Sequence, residues 1–327
     1  MQTVKIALID SGIKEGALPS FINKESVEGG FAIYGDSKES IRITQCRPDD
    51  INGHGTACAI AINRIAPNAK IIPISVLDED GRCNVERLIA ALHLIQCLDV
   101  SIVSMSLSSS DFRRHKKLYE AINDLNKQNK ICISSKSNDR WLSYPAFFNN
   151  VIGVKGNNAI FNFGYKYEGN KKIQVVASSA AELPQYHIGE MKFFRGNSKA
   201  TAIVSGIVAD AIERKMIKNG EIERYLVRNS WDDIRLFKPI DNNWDNNISK
   251  EVHKCILKLI DAKRIQVNIK EGGVLTYSNS RIEDYYEIIT CLESNFGCRM
   301  FKKNAVYRSY FESVNMLSKL VESAVHG

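Results

Sequence analysis

Residues 4–12 read VKIALIDSG, an apolar run that ends in an aspartate, a serine and a glycine. Four more short runs rich in β-branched residues follow in the first two-thirds of the chain, at 70–77, 100–107, 130–135 and 151–154. Between them, apolar residues recur every three or four positions, as in 84–98 and 111–128. Near-continuous apolar strands separated by amphipathic helices are typical of a parallel sheet covered on both faces. We therefore predict an α/β fold with a doubly wound parallel sheet.

In such folds the functional site lies where the strands end. Asp10 follows the first apolar run directly, and His54 stands between glycines in NGHGTACAIAI (52–62) at the start of a predicted helix. Ser198 in GNSKATA (196–202) opens another predicted helix. A serine becomes a nucleophile when a base lies beside it and a third group orients that base. Asp10, His54 and Ser198 are therefore the candidate catalytic residues, with Ser198 as nucleophile.

The three stretches resemble, in order, the Asp, His and Ser motifs of the subtilisin-like serine proteases. A fourth stretch, SSKSND (134–139), resembles the part of that family that carries the oxyanion-hole asparagine, which maps to Asn138. The resemblance covers residues 1 to about 235. It implies a subtilisin-like fold and serine endopeptidase activity that needs no cofactor.

Two further stretches resemble the family's substrate-binding segments. These are MSLSSS (105–110), which resembles the substrate-binding strand, and SYPAFFNNVIGV (143–154), which resembles the stretch past the S1 pocket. The substrate-binding residues implied are Ser106, Leu107, Ser108, Asp139 and Ser143. Asp139 either reaches the S1 pocket and favours a basic P1 side chain, or is a solvated loop residue.

The chain also departs from the family pattern. Asn197, Lys199 and Ala202 replace the usual Thr, Met and Pro of the serine motif, and we expect Lys199 to alter an adjacent subsite or to slow the enzyme. The His motif runs almost directly into NRIAPNAK (63–70), without the loop that often binds calcium in secreted members, so no metal is expected. No pro-domain is recognisable before Asp10.

Composition narrows the functional class. The 327 residues are 44% hydrophobic and 25% charged, with a net charge of +7. No segment has the length of a membrane span and no basic stripe is present, which argues against membrane and nucleic-acid partners. The eight cysteines form no CxxC pair or zinc-like spacing. With no recognisable secretion signal, these thiols predict a cytoplasmic protein with free cysteines.

Cys58 lies one helical turn after His54, where some members of the family carry a free cysteine. A small buried core residue is favoured over a regulatory thiol at this position. Its closeness to His54 still predicts inhibition by bulky thiol reagents. The remaining histidines have no matching context and are interpreted as structural or surface residues.

Residues 236–247 are interpreted as a linker between a protease domain (1–235) and a helical domain (248–327). Amphipathic patterns at 248–260, 281–297 and 312–325 predict a small three-helix bundle. The bundle resembles an acyl or peptidyl carrier domain without its phosphopantetheine serine, because aligning on Glu287 puts Arg281 at the start of the Asp-Ser-Leu motif. A bundle of unrelated origin and a working carrier that uses Ser280 remain alternatives.

In these features together the chain resembles leader peptidases from gene clusters that mature ribosomally made, modified peptides. The resemblance implies a cytoplasmic serine endopeptidase that cleaves a precursor peptide, with the C-terminal domain binding a modifying enzyme or another partner protein. Two alternatives stay open. One is a general intracellular regulatory protease, and the other is an attenuated protease that acts as a scaffold through its carrier-like domain.

Overall fold

The computed structural model describes residues 3–109, 112–138, 142–160, 162–169, 171–186, 188, 191–217, 220–231, 247–278, 281–301 and 305–326. The chain divides into two compact units. The first contains Met1–Ala180, Tyr186–Glu190 and Arg195–Leu236. The second contains Ala181–Gln185, Met191–Phe194 and Phe237–Gly327.

A nine-stranded sheet forms the centre of the first unit in the described part of the chain, with strand order β3-β2-β4-β1-β5-β6-β7-β9-β8. Its strands are β1 (Lys5–Asp10), β2 (Gly30–Tyr34), β3 (Arg42–Cys46), β4 (Lys70–Ser75), β5 (Ile102–Met105), β6 (Ile131–Ser135), β7 (Ile152–Asn157), β8 (Tyr165–Tyr167) and β9 (Val175–Ser178). All neighbours pair in parallel except at the two edges, where β3 and β8 run antiparallel. The predicted doubly wound parallel sheet is confirmed.

Helices cover both faces of this sheet. They are α1 (His54–Ile65), α2 (Val85–Ile95), α3 (His115–Lys127), α4 (Asn197–Glu213) and α5 (Ile222–Arg228). Side chains alternate between the faces along each strand. In β5, Val103 and Met105 join the apolar core of α2 and α3, whereas the hydroxyl of Ser104 lies within hydrogen-bonding distance, 2.9 Å, of the hydroxyl of Ser205 of α4. Helices α1 and α4 pack against each other, so both predicted catalytic helices lie together.

The second unit contains the three predicted helices, here α6 (Asn247–Asp261), α7 (Ile282–Phe296) and α8 (Val314–His326). They share an apolar core that includes Val252, Ile288 and Leu317. An antiparallel hairpin of β10 (Val267–Ile269) and β11 (Leu275–Tyr277) lies between α6 and α7 in the sequence. The carrier-like resemblance stays a prediction, and Ser280 lies outside the described residues.

A segment that sequence analysis placed in the protease domain belongs to the second unit. Glu182 and Phe194 exchange two backbone hydrogen bonds of 2.9 Å each, and Leu183 N donates to the carbonyl of Val306 at 2.8 Å. Leu183 is fully buried in the core of the second unit. The chain therefore enters the second unit at 181–185, returns to the first at 186–190, and enters the second again at 191–194.

None of the described helices has both the length and the apolar character that crossing a membrane requires.

Candidate active site

Asp10 and His54 form a hydrogen-bonded pair at the carboxyl edge of the sheet. Asp10 is the last residue of β1 and is only 1% exposed. His54 is the first residue of α1, after Gly53, whose φ of +83° lies in the left-handed region that glycine adopts readily. The Nδ1 atom of His54 lies 2.7 Å from Oδ1 of Asp10. Because an ionised carboxylate only accepts, this contact favours the tautomer with the proton on Nδ1.

A second buried carboxylate, Asp50, holds the start of α1 and was missed in the sequence. Its Oδ1 accepts hydrogen bonds from Gly53 N at 2.8 Å and from the Ser11 hydroxyl at 2.9 Å. Its Oδ2 accepts from the backbone N and the hydroxyl of Thr56, at 2.8 and 2.6 Å. Gly53 has no side chain to cap the helix, so Asp50 supplies the acceptor that an N-cap residue normally provides.

The two carboxylates change the basicity of His54. Burial of the imidazole lowers its pKa, but the charge of Asp10, the hydrogen bond to Asp10 and the charge of Asp50 raise it more. The net result is a pKa above the ordinary value for histidine. The ring is still 32% exposed. A base that is oriented by a carboxylate and reachable from solvent is suited to proton transfer.

Ser198 lies in the first turn of α4, as predicted. Its hydroxyl donates to the carbonyl of Ser106 at 3.3 Å, and the Ser106 hydroxyl donates to the carbonyl of Ser198 at 3.4 Å. The Cys58 thiol donates to the Ser106 hydroxyl at 3.5 Å. Since Cys58 lies one turn after His54 on α1, these contacts connect the start of α4, which carries Ser198, to the start of α1, which carries His54.

Asn138 follows β6 and lies beside the start of α4. Its Oδ1 accepts a hydrogen bond from Asn197 N at 3.3 Å. Asn197, which replaces the family threonine, donates through Nδ2 to the carbonyl of Lys136 at 2.8 Å and accepts through Oδ1 from Gly156 N at 2.6 Å. Because Oδ1 of Asn138 accepts from the helix start, the Nδ2 group of this exposed side chain is the one that can donate a hydrogen bond to a substrate.

The predicted substrate-binding residues fall into different environments. Ser106 is buried, Leu107 is partly exposed and Ser108 is exposed. Ser143 is fully buried, and its hydroxyl accepts from Ser137 N at 2.7 Å, so it supports the loop that leads to Asn138. Asp139 lies outside the described residues.

Lys199 does not have the environment expected from the sequence. Its side chain is 1% exposed, and Nζ donates to the carbonyl of Ala180 at 2.7 Å. A side chain so buried is not available to line a substrate subsite, so that alternative is wrong in this structure, whereas a slower enzyme stays a prediction. Lys199 instead ties the end of the segment after β9 to the serine helix.

Asp10, His54 and Cys58 form the one group of potential metal ligands found among the described residues, with ligand atoms within 4.8 Å of one another. Burial, followed by the charge of Asp10, raises the pKa of the Cys58 thiol well above its ordinary value. A metal needs the thiolate and a deprotonated imidazole nitrogen. With the thiol protonated and Nδ1 bound to Asp10, the group fits an acid–base pair better than a metal centre. All eight cysteines are free, as predicted.

A parallel α/β sheet with an Asp–His pair at its carboxyl edge and a serine at a neighbouring helix start is an arrangement found in serine hydrolases. The model of the subtilase family, peptidase S8, matches residues 1–253, well over half of the chain. The chain therefore belongs to the subtilase family.

Named relatives agree with this assignment. The chain is 28% identical over 255 residues to the major intracellular serine protease of Bacillus subtilis, covering 69% of this chain and 76% of that protein. It is also 28% identical over 169 residues to the minor extracellular protease Epr of the same organism, covering 48% of this chain but only 24% of Epr. A lanthipeptide protease has a similar fold, with a TM-score of 0.51 and 23% identity over 72% of this chain and 81% of that one.

Proposed function

We propose that this subtilase is a cytoplasmic serine endopeptidase that removes the leader from a precursor peptide. The 2.7 Å contact between His54 Nδ1 and the buried Asp10 carries the catalytic part of the proposal. It orients a solvent-accessible base on α1, the helix that packs against the helix whose first turn carries Ser198.

The proposed reaction begins when Ser198 Oγ attacks the scissile carbonyl. His54 accepts the serine proton through Nε2, the ring nitrogen opposite the one held by Asp10, and then returns it to the leaving amine. Asp10 stabilises the imidazolium in between. Water then attacks the acyl-enzyme while His54 accepts its proton, the ester bond to Ser198 Oγ breaks, and His54 returns the proton to Oγ as the carboxylic acid product leaves. The hydroxyl of Ser198 must rotate away from the Ser106 carbonyl to start this cycle.

Charge that develops on the carbonyl oxygen needs donors in place beforehand. We assign this role to Nδ2 of Asn138 together with backbone N–H groups at the start of α4. The 3.3 Å contact from Asn197 N to Asn138 Oδ1 supports the assignment, because it fixes the amide next to Ser198. Removal of one such donor typically costs about 10²–10³ in kcat.

The substrate class rests on three observations. The similar fold of a lanthipeptide protease suggests a peptide-maturation role. The Bacillus subtilis relative of similar length coverage is named as an intracellular serine protease, and the free cysteines fit a reducing compartment. The exposed Ser108, after the buried Ser106, offers backbone for an extended substrate to pair with.

A fluorophosphonate probe tests the active site directly. We expect the parent protein to be labelled, and the Ser198→Ala and His54→Ala variants not to be. Ser205→Ala is the matched control, because Ser205 lies on the same helix and donates to the Thr201 carbonyl. The unlabelled parent protein is then incubated with precursor peptides, and mass spectrometry of the products tests leader removal. Labelling of Ser198→Ala would exclude the assigned nucleophile, and cleavage scattered along unrelated proteins such as casein would exclude a dedicated leader peptidase.

A further inference from the structure

The first unit contains a second concave site, made by different side chains from those around Ser198. It is a cavity of about 940 Å³ lined by α3, residues 129–132, the loop and strand start at 144–152, the strand and turn at 167–174, and the region of α5. Volumes of this size hold a ligand or a few peptide side chains. Neither the triad residues nor Asn138 line it.

Aromatic rings make up much of the lining. His115 packs edge-on against Tyr144 with ring centres 4.3 Å apart, and against Phe148 at 4.9 Å. Tyr119 packs against Phe148 at 5.1 Å. Phe147 completes this group of lining residues. Such a rigid aromatic wall favours apolar and aromatic side chains of a ligand.

The charged lining residues are three lysines and one glutamate. Lys130 donates to the carbonyls of Ile95 and Leu98 at 2.6 Å, and Glu223 accepts from the Tyr167 hydroxyl at 2.6 Å. Lys172 has a different position, with its ammonium 5.9 Å from the centre of the Phe147 ring. The ammonium of Lys172 can therefore form an ion pair with a carboxylate of a ligand, while the neighbouring aromatic rings pack against an adjacent apolar side chain. Lys171 forms a 3.0 Å ion pair with Glu168, so an acidic group of a ligand is expected to meet Lys172.

The backbone links this cavity to the proposed substrate strand. Ser109 N donates to the Tyr144 carbonyl at 2.7 Å, and Tyr144 N donates to the Ser109 carbonyl at 3.1 Å. Ser109 directly follows Ser108, and Ser106 contacts Ser198. A bound peptide whose scissile bond lies at Ser198 and whose backbone pairs with residues 106–108 therefore extends towards Tyr144. The side chain of Tyr144 lines the cavity.

We propose that the cavity is an exosite for an acidic, aromatic-containing segment of the leader, several residues before the scissile bond. This inference rests on the proposed function, since it names what the same protease reads in its substrate. Recognition at two places would let the enzyme select its precursor by a segment that is not cleaved. The two contacts lie on one peptide chain, so binding at one raises the effective concentration for binding at the other.

Binding is tested without catalysis. The protein is Ser198→Ala, and the probe is a fluorescein-labelled peptide of about ten residues, roughly 35 Å when extended, that contains glutamates and phenylalanines. We expect saturable binding that weakens by about tenfold with Lys172→Glu or Phe147→Ala, and a similar loss when lysines replace the glutamates of the probe. Lys116→Glu is the control, since Lys116 is an 88% exposed lysine of α3 that does not line the cavity.

Kinetics then test the role in proteolysis. A short fluorogenic peptide that ends a few residues before the bond is compared with the same peptide extended by the acidic segment. We expect the extension to raise kcat/KM by about tenfold in the parent and hardly at all in Lys172→Glu, with the short peptide cut equally by both. Equal probe binding by Lys172→Glu and Lys116→Glu would overturn the exosite. Failure of the folded parent protein to be labelled by the fluorophosphonate, with intact probe binding to Ser198→Ala, would instead overturn the proposed protease function alone.

Discussion

Asp50 and Thr56 are joined by two short hydrogen bonds, both accepted by Oδ2 of Asp50, at 2.8 Å from the backbone N of Thr56 and 2.6 Å from its hydroxyl. The other oxygen of Asp50 accepts from Gly53 and Ser11. This fully buried carboxylate thus fixes the turn on which His54 is mounted, although it does not touch the imidazole in any of these contacts.

Replacing Asp50 by Asn should lower both stability and activity. The amide NH₂ would face donors where a carboxylate oxygen now accepts, and an unmatched buried hydrogen bond costs about 1–3 kcal/mol. We expect a fall of that size in the free energy of unfolding, measured in urea, and a lower kcat/KM. Asp49→Asn, the neighbouring substitution, is the control. Unchanged stability of Asp50→Asn would show that the network is not needed.

The activity of the parent should rise with pH through the titration of His54. The base must be neutral to accept the serine proton, and its pKa is raised above the ordinary value of about 6.5 by the two carboxylates. The acid limb of kcat/KM should therefore have its midpoint above about 6.5. Asp50→Asn removes one of the raising charges, so its acid limb should move to lower pH. A shift to higher pH would contradict the assigned electrostatics.

Replacing Gly53 by Ala should impair the site through two separable effects. The left-handed backbone costs a non-glycine residue roughly 1–2 kcal/mol, and the new Cβ would lie 3.0 Å from Cε2 of Tyr186. We expect reduced fluorophosphonate labelling. Adding Tyr186→Ala removes the close contact but not the backbone strain, so the double variant should recover part of the labelling. No recovery would mean that backbone strain alone accounts for the loss.

Lys199 should contribute mainly to stability. Lys199→Met keeps most of the buried volume and loses a hydrogen bond, which predicts a destabilisation of about 1 kcal/mol. Lys199→Ala also opens a cavity and should cost about 2–5 kcal/mol. Denaturant unfolding distinguishes the two. Equal losses would show that packing of the lysine stem does not matter.

Thiol modification should begin away from the active site. Cys58 is fully buried and its pKa is raised, whereas Cys97 is exposed. Since the thiolate is the reactive form, iodoacetamide should modify Cys97 first and leave activity intact, and inhibition through Cys58 is expected only in a later, slower reaction. Mass spectrometry of peptides from the reacted protein identifies the site. Modification of Cys58 before Cys97 would show that the α1 helix opens readily in solution.

The sequence was most informative where chemistry and local structure coincide. Asp10, His54 and Ser198 could be singled out because each stands at a strand end or helix start within a short motif. Asp50 gave no such signal, since its role depends on donors that only the folded loop gathers. The exposed edge strand β3, RITQC, was missed because four of its five residues face solvent and so lack an apolar alternation.

Contacts between residues that are far apart in the sequence were the other feature that could not be predicted. Leu183 and Phe193 look like ordinary protease-domain residues in the sequence, yet Leu183 is buried among α6, α7 and α8, and Phe193 packs against Tyr285 at 5.0 Å. Only tertiary pairing places them in the second unit. The resemblance to a carrier domain could not show this, because it began at residue 248.

The double crossing of residues 181–194 has a consequence for the order of events during synthesis. The stretch that leads into Ser198 leaves the ribosome well before Val306, to whose carbonyl Leu183 donates, and before the helices that bury Leu183. A nascent chain that has just extended past Ser198 thus lacks the partners that this stretch needs. A message cut short before α6 would yield a fragment in which Leu183 lacks the helices that bury it, so this stretch can make its folded contacts only after the second unit has been translated.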